Sequence, residues 1–288
     1  MKKIILAAFV MAGILNTSAQ ELPAPSPTAT LSQRVGLTDV TIVYSRPSVK
    51  GREIFGELVP FDKLWRTGAN MNTTVEFSSE VTIAGKKLPA GKYSMFTIPS
   101  PDSWEVIFNS KTDHGGTNGY SEENDVLRTK VEVQTTEMTE SFTIDVNNIQ
   151  AESAAIVLMW NKTKVTIPFT FNVNDIAMKN IDKALAESEE EGKWRVYRNA
   201  ANYFYNNKIE MDRALEYMDM SIAANQTSWY SYWLKAEILA EKKMYKEAVK
   251  SAEMSKKVGQ EAAKKDGSEF GYNEMIDKGI DSWKAMKK

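Results

Sequence analysis

The chain has 288 residues, a formal net charge of −2, 42% hydrophobic and 26% charged residues, and no cysteine. Near neutrality leaves no electrostatic footprint for a polyanionic partner such as nucleic acid, and the missing thiols exclude disulfides, cysteine nucleophiles and cysteine-based metal sites. His114 is the single histidine, so neither a histidine-based triad with a spare base nor a multi-histidine metal centre can be built, and no metal or cofactor is expected.

At the N-terminus, Lys2 and Lys3 precede an apolar run from Ile4 to Leu15, followed by small residues with Thr17 and Ala19 placed as in a cleavage site before Gln20. This pattern predicts a signal peptide over residues 1–19 and a periplasmic or secreted product. The run is shorter than the roughly 20 apolar residues that span a bilayer, and no later stretch reaches that length, so the protein is not expected to be membrane-embedded. Residues 20–30 form a proline-rich leader.

From 31 to 172 short alternating runs are separated by turn residues. Val40, Ile42 and Tyr44 share one face of "DVTIVYS", Val75 and Phe77 one face of "TTVEFS", and Trp104, Val106 and Phe108 one face of "SWEVIFN", while "GKYSMFTIP" alternates Tyr93, Met95 and Thr97 against Ser94, Phe96 and Ile98. Further runs lie at 126–133, 141–146, 154–160 and 164–171. "AGKK" at 84–87, "PSPDS" at 99–103 and "NKT" at 161–163 read as hairpin connections. Strands at this spacing without intervening helices predict an antiparallel β-sandwich.

One connection stands apart. The 27 residues from Arg46 to Asn72 hold Ile54, Phe55, Leu58, Val59, Phe61, Leu64 and Trp65, enough apolar surface to pin the segment to the sandwich, with Ile54 and Leu58 at helical spacing. On "SRPSVKGREIFGELVPFDKLWRTGAN", followed by "LPAGKYSMFTIP", "WEVIFN" and "DVLR", the chain resembles the domain of unknown function family numbered 2911 over about residues 29–172. The resemblance implies an exported β domain, often with appended segments, and no established reaction. Met71 stands where a glutamate is expected after "GAN", and "DHGGTNGY" replaces a stretch that usually contains tryptophan; a carboxylate-dependent activity at that glutamate would be lost here.

The same connection supplies the ligand-binding candidates. Arg46, Lys50, Arg52, Arg66 and, from the next motif, Lys92 offer forked or point-charge partners for a carboxylate or phosphate. Trp65, with Tyr44 and Trp104, offers stacking faces for a sugar or aromatic ring, and Asn70 a polar contact. The structural alternative makes Trp65 a core anchor, Gly68 a positive-φ turn residue, Asn70 a turn cap, and the cations a solvated edge that resists aggregation. Arg66 resists that alternative unless it pairs with a carboxylate such as Asp125 or Glu76. The loop "KTDHGGTNGYSEEND" reads as a mobile surface loop, or as a calcium loop through Asp113, Glu122, Glu123 and Asp125, although the EF-hand alternation is absent. No G-x-S-x-G elbow, P-loop or dinucleotide fingerprint occurs, and nothing singles out a catalytic carboxylate pair.

From 175 to 288 the period is helical, which completes an α+β chain of two domains. "DRALEYMDMS" and "KEAVKSAEMS" repeat with Ala214 aligned to Ala248, an offset of 34 residues, and Ala236, Ala248, Ala252 and Ser255 supply small residues while Tyr232 and Tyr245 supply large ones. This half resembles tetratricopeptide repeats over about 193–260, departing from the pattern at Asn202 and Ile209, with flanking helices near 175–189 and 268–286 as caps. Asn199, Asn202, Asn206 and Lys235 are the candidates for a peptide-gripping groove. The sequence therefore predicts an exported, non-enzymatic binding protein for a carbohydrate or anionic small ligand, with a protein partner on the helical repeats. The alternative is a metal-independent hydrolase or lyase of envelope polysaccharide with chemistry near Arg46, Arg66, Asn70 and Lys92.

Overall fold

The computed structural model describes residues 22–286 apart from His114, so the expected signal peptide lies outside the described residues. The chain divides into two compact units, one ending at Val173 and one beginning at Asn174.

Apart from a 3-10 turn at Glu122–Asn124, the regular elements of the first unit are strands: β1 (Thr28–Val35), β2 (Thr38–Ser45), β3 (Thr74–Phe77), β4 (Val81–Ile83), β5 (Lys86–Leu88), β6 (Gly91–Pro99), β7 (Ser103–Asn109), β8 (Asp125–Asn147) and β9 (Ser153–Thr170). They form one antiparallel sheet in the order β1-β2-β3-β6-β7-β8-β9-β4-β5. The sheet becomes a sandwich because β8 serves both layers. Its first residues pair with β7 up to Glu132, and from Val133 onward it pairs with β9. Rings meet across the space between the layers, Phe77 on β3 with Phe169 on β9 at 5.5 Å and Tyr44 on β2 with Phe142 on β8 at 5.9 Å.

Two pairs of expected strands are single elements. Residues 126–133 and 141–146 belong to β8, and 154–160 and 164–171 to β9 up to Thr170, so "NKT" is not a hairpin. Asn161 takes a left-handed φ of 55° while still facing Thr139, and the register shifts on both sides of that pair. A bulge lets long strands bend without breaking, and in sequence it carries the same turn-forming residues as a hairpin. "AGKK" does mark a hairpin, with Ala84 and Gly85 both at positive φ between β4 and β5, as a two-residue primed turn requires.

The second unit holds α1 (Val173–Glu187), α2 (Glu190–Asn207), α3 (Met211–Ala224), α4 (Trp229–Glu241), α5 (Tyr245–Lys265) and α6 (Asn273–Met286). The helical hairpins α2/α3 and α4/α5 repeat one contact: Ser221 Oγ donates to the Trp194 carbonyl at 2.9 Å, and Ser255 Oγ to the Trp229 carbonyl at 2.8 Å. Ala214 and Ala248 are fully buried counterparts 34 residues apart, but Trp194 and Trp229 are 35 apart. On that second offset the small residue matching Ala236 is Ala201, also fully buried, so the departure at Asn202 is a one-residue shift in register. Met178, Ile181 and Leu185 of α1 cover the cluster around Phe204, while Ile276, Ile280 and Trp283 of α6 cover the cluster around Trp233. Both ends of the array are thereby closed, as a stack of so few units needs.

Candidate functional site

The connection from β2 to β3 is folded onto the sandwich by its own apolar residues. Val49, Ile54, Val59 and Trp65 are buried. Leu58 is 45% exposed, and no helix joins it to Ile54; instead Val59 N donates to the Ile54 carbonyl at 2.8 Å and Gly56 N to that of Val59 at 2.9 Å, a tight turn. Trp65 then adds itself to β6, exchanging both backbone hydrogen bonds with Thr97 at 2.8 and 2.9 Å. Its indole lies between the layers, with centroids 5.9 Å from Trp104 on β7, 5.3 Å from Phe142 on β8 and 5.9 Å from Trp160 on β9. Its Nε1 donates to the Gly68 carbonyl at 3.0 Å.

The corner after Trp65 is tight. Thr67 is fully buried at φ 55°, a conformation that crowds a β-branched side chain, and it is held by Thr97 Oγ1 at 3.0 Å and by Thr73 Oγ1, which donates to its carbonyl at 2.5 Å. A Cβ on Gly68 would come within 3.1 Å of the Ser45 carbonyl oxygen.

Outside this corner lies a cleft of about 450 Å³. Lys50, Arg52, Lys63 and Arg66 line it together with Trp65 and Trp160, and no carboxylate does so among the described residues. Pro47, Leu58, Pro60 and Leu64 supply apolar wall, Pro25 and Ser26 come from the segment before β1, and Thr117 from the glycine-rich loop. Two residues of this lining carry donors that lack acceptors: Arg66 Nε and Trp160 Nε1 are both buried without a hydrogen-bond partner. A buried donor left unpaired costs about 1–3 kcal/mol, and both orphans ask for the same thing, an acceptor oxygen.

A family model described as protein of unknown function (DUF2911) matches residues 26–169, half of the chain and nearly all of the β unit. The chain belongs to this family. No curated protein and no solved structure matches it.

Within the DUF2911 unit the sequence candidates separate. Lys50, Arg52, Trp65 and Arg66 meet in the cleft. Arg52 is steadied there by the carbonyls of Val49 at 3.1 Å and Ser48 at 2.6 Å. Arg46 does not line it; its guanidinium donates to the Phe142 carbonyl at 3.0 Å and Thr143 Oγ1 at 2.8 Å, tying the end of β2 to β8. Asn70, at φ 57°, donates to the Ser26 carbonyl at 3.0 Å and Ser45 Oγ at 3.3 Å. Lys92 sits on β6 opposite Glu76, away from the cleft. Tyr44 and Trp104 are core rings rather than stacking faces, buried to 5% and 2% exposure, with the Tyr44 hydroxyl spent on the Ile144 carbonyl. Lys63, Thr117 and Trp160 complete the lining without having been singled out by sequence: Lys63 reads as a solvated charge after Asp62, and Trp160 as one more apolar residue of a core strand.

Neither expected partner of Arg66 reaches it. Asp125 accepts from Asn109 Nδ2, the Tyr120 hydroxyl and Arg128 Nε, each at 2.7 Å, and Glu76 is exposed on β3. Arg128 also meets Glu122 at 3.0 Å and Glu105 at 3.5 Å. Arg128 thus already pairs with Asp125, Glu122 and Glu105, and among the described residues no group of carboxylates is placed to hold a metal ion as the calcium reading requires. This knot anchors the loop that carries Gly116, whose Cβ position is 3.4 Å from Arg66 Nη1. Burial and the hydrogen bond to Asp125 push the Tyr120 phenol up to about 12.

The groove candidates of the helical unit do not converge either. Lys235 pairs with Asp219 and lines a groove of about 520 Å³ beside Leu215, Tyr232 and Met254. Asn199, Asn202 and Asn206 sit on α2, where Asn199 accepts from Arg198 at 3.2 Å and Asn202 from the Tyr230 hydroxyl at 3.4 Å.

Two outcomes follow from this geometry. Trp65→Phe leaves the Gly68 carbonyl without its donor, whereas Trp160→Phe removes a donor that had no acceptor, so Trp65→Phe costs about 1–3 kcal/mol more in urea unfolding followed by circular dichroism; equal costs would contradict the assignment. Tyr120 contributes stability that is complete below the ordinary tyrosine pKa of about 10 and lost as pH rises through about 12, because the unfolded chain releases that proton first. Alkaline titration of Tyr120→Phe therefore shows a shallower loss of stability over that window than the parent protein.

Proposed function

We propose that the protein is exported, that its DUF2911 unit is a non-enzymatic binding module for a small oxyanion-bearing ligand such as an acidic carbohydrate, and that its helical array, of tetratricopeptide type, receives a protein partner. Export rests on the pattern of Lys2, Lys3 and the apolar run that follows. The observation that carries the ligand reading is the pairing of two acceptor-less buried donors, Arg66 Nε and Trp160 Nε1, with four cationic side chains in one cleft. A carboxylate or phosphate oxygen would satisfy the donors and balance the charge, and guanidinium binds such groups through paired hydrogen bonds. The apolar walls leave room for a ring or chain behind the charged head.

The hydrolase or lyase alternative needs a titratable acid or base beside the cations. Among the described residues of the lining there is no carboxylate to serve, which favours binding.

The experiment is calorimetric titration of the protein with trigalacturonate and glucose 6-phosphate against their neutral counterparts, methyl-esterified trigalacturonate and glucose. An acidic probe binds and its neutral counterpart does not. Arg66→Ala weakens binding by about 10- to 100-fold, the range expected for one charged hydrogen-bonding partner, without altering the circular dichroism spectrum. Failure of both acidic probes, or equal binding of the neutral ones, refutes the reading; cleavage products appearing in the trigalacturonate mixture would establish the enzymatic alternative.

A further inference from the structure

Part of the cleft wall comes from outside the sheet. Pro25 and Ser26 line it, yet they precede the first strand and lie in the alternating stretch Pro23-Ala24-Pro25-Ser26-Pro27. Each residue before a proline is restricted to extended backbone, so this strap is stiff and loses little conformational freedom when it docks. Residues 22–25 and Pro27 are exposed, and Ser26 is half-buried, so the strap adds nothing to the apolar core. Two hydrogen bonds hold it: Arg46 N donates to the Pro27 carbonyl at 2.9 Å, and Asn70 Nδ2 donates to the Ser26 carbonyl at 3.0 Å.

Asn70 is set up for that bond. It ends the tight corner that begins at Trp65, and its left-handed φ of 57° is one that asparagine adopts more readily than most residues. The corner thus presents Arg66 to the cleft and, four residues later, reaches back with an amide to the strap.

We propose that Asn70 is a positioning residue for the ligand cleft: by holding the Pro25–Ser26 strap as a wall, it makes ligand affinity depend on the chain N-terminal to the sheet. The inference rests on the ligand reading of the cleft, but the strap can also be judged without ligand. Deleting the strap or its clamp opens the cleft while leaving the sandwich core intact. Ser45 Oγ, the other partner of Asn70 at 3.3 Å, belongs to the corner and not to the strap.

The test uses four proteins labelled with 15N-tryptophan: the chain from Gln20, the chain from Thr28, Asn70→Ala and Ser45→Ala. Trigalacturonate and glucose 6-phosphate are the probes, read by the indole N–H signal of Trp160, assigned through Trp160→Phe. The chain from Gln20 and Ser45→Ala bind an acidic probe alike, while the chain from Thr28 and Asn70→Ala bind it at least tenfold more weakly and keep the circular dichroism spectrum of the folded protein. Equal affinity in all four overturns the strap. Should neither probe bind any of them, the ligand reading falls, and exchange of the Trp160 indole N–H with water decides the strap alone: faster exchange in the chain from Thr28 and in Asn70→Ala supports it, and equal rates overturn it. If the chain from Thr28 fails to fold, Asn70→Ala alone decides the matter by the same two readouts.

Discussion

The insertion of one indole between two layers of sheet determines where everything else in this site stands. Trp65 belongs to neither layer by sequence, yet its ring touches Trp104 from one and Phe142 and Trp160 from the other, and its backbone is paired with Thr97. Burying such a ring is worth about 2–3 kcal/mol of apolar transfer, with edge-to-face contacts adding about 0.5–1.5 kcal/mol per pair. That is enough to fix a connection that would otherwise be a long loop. Because successive side chains of an extended segment point to opposite sides, an inward Trp65 turns Arg66 outward, toward the cleft.

The same wedge explains why strain and unpaired donors can persist here. Thr67 and Asn70 hold left-handed backbone, and Arg66 Nε and Trp160 Nε1 lack acceptors. Each is a local cost of order 1–3 kcal/mol, sustained only where surrounding packing over-determines the geometry. Trp160 plays both parts: its ring stacks on Trp65 with an interplanar angle of 18°, and the same residue lines the cleft while its Nε1–H stays buried and unpaired. Core and site share a residue, so the donor is held rigid by the packing that buries it. Arg128 does comparable service for the glycine-rich loop, gathering Asp125, Tyr120 and Glu122 at its C-terminal end.

Much of this was legible in the sequence where local pattern decides. Strands β2, β3, β6 and β7 announce themselves by alternation, and the change of period marks the helical half. The bulge at Asn161 was not legible, since turn-prone residues look the same whether the chain reverses or merely bends. Lys50, Arg52, Trp65 and Arg66 could be found because one short connection concentrates them. Arg46 and Asn70 carry the same chemistry but spend it on Phe142, far along the chain, and on Ser26, partners that no local window contains. Trp160 and the strap were invisible for the opposite reason: a core-strand tryptophan and a proline-rich leader each have a sufficient explanation without a ligand. In the helical half, the shift from Asn202 to Ala201 emerges only from the paired contacts Ser221 to Trp194 and Ser255 to Trp229.

The most direct measurement is amide hydrogen exchange of the backbone N–H groups of Trp65 and Thr97, which donate to each other's residues across the wedge. Both should exchange only through global unfolding of the β unit, at the rates of the buried β6 and β7 residues Phe96 and Ile107. Exchange at the rate of the exposed hairpin glycine Gly85 would mean that the connection opens freely, and neither the cleft nor its cations would have fixed positions.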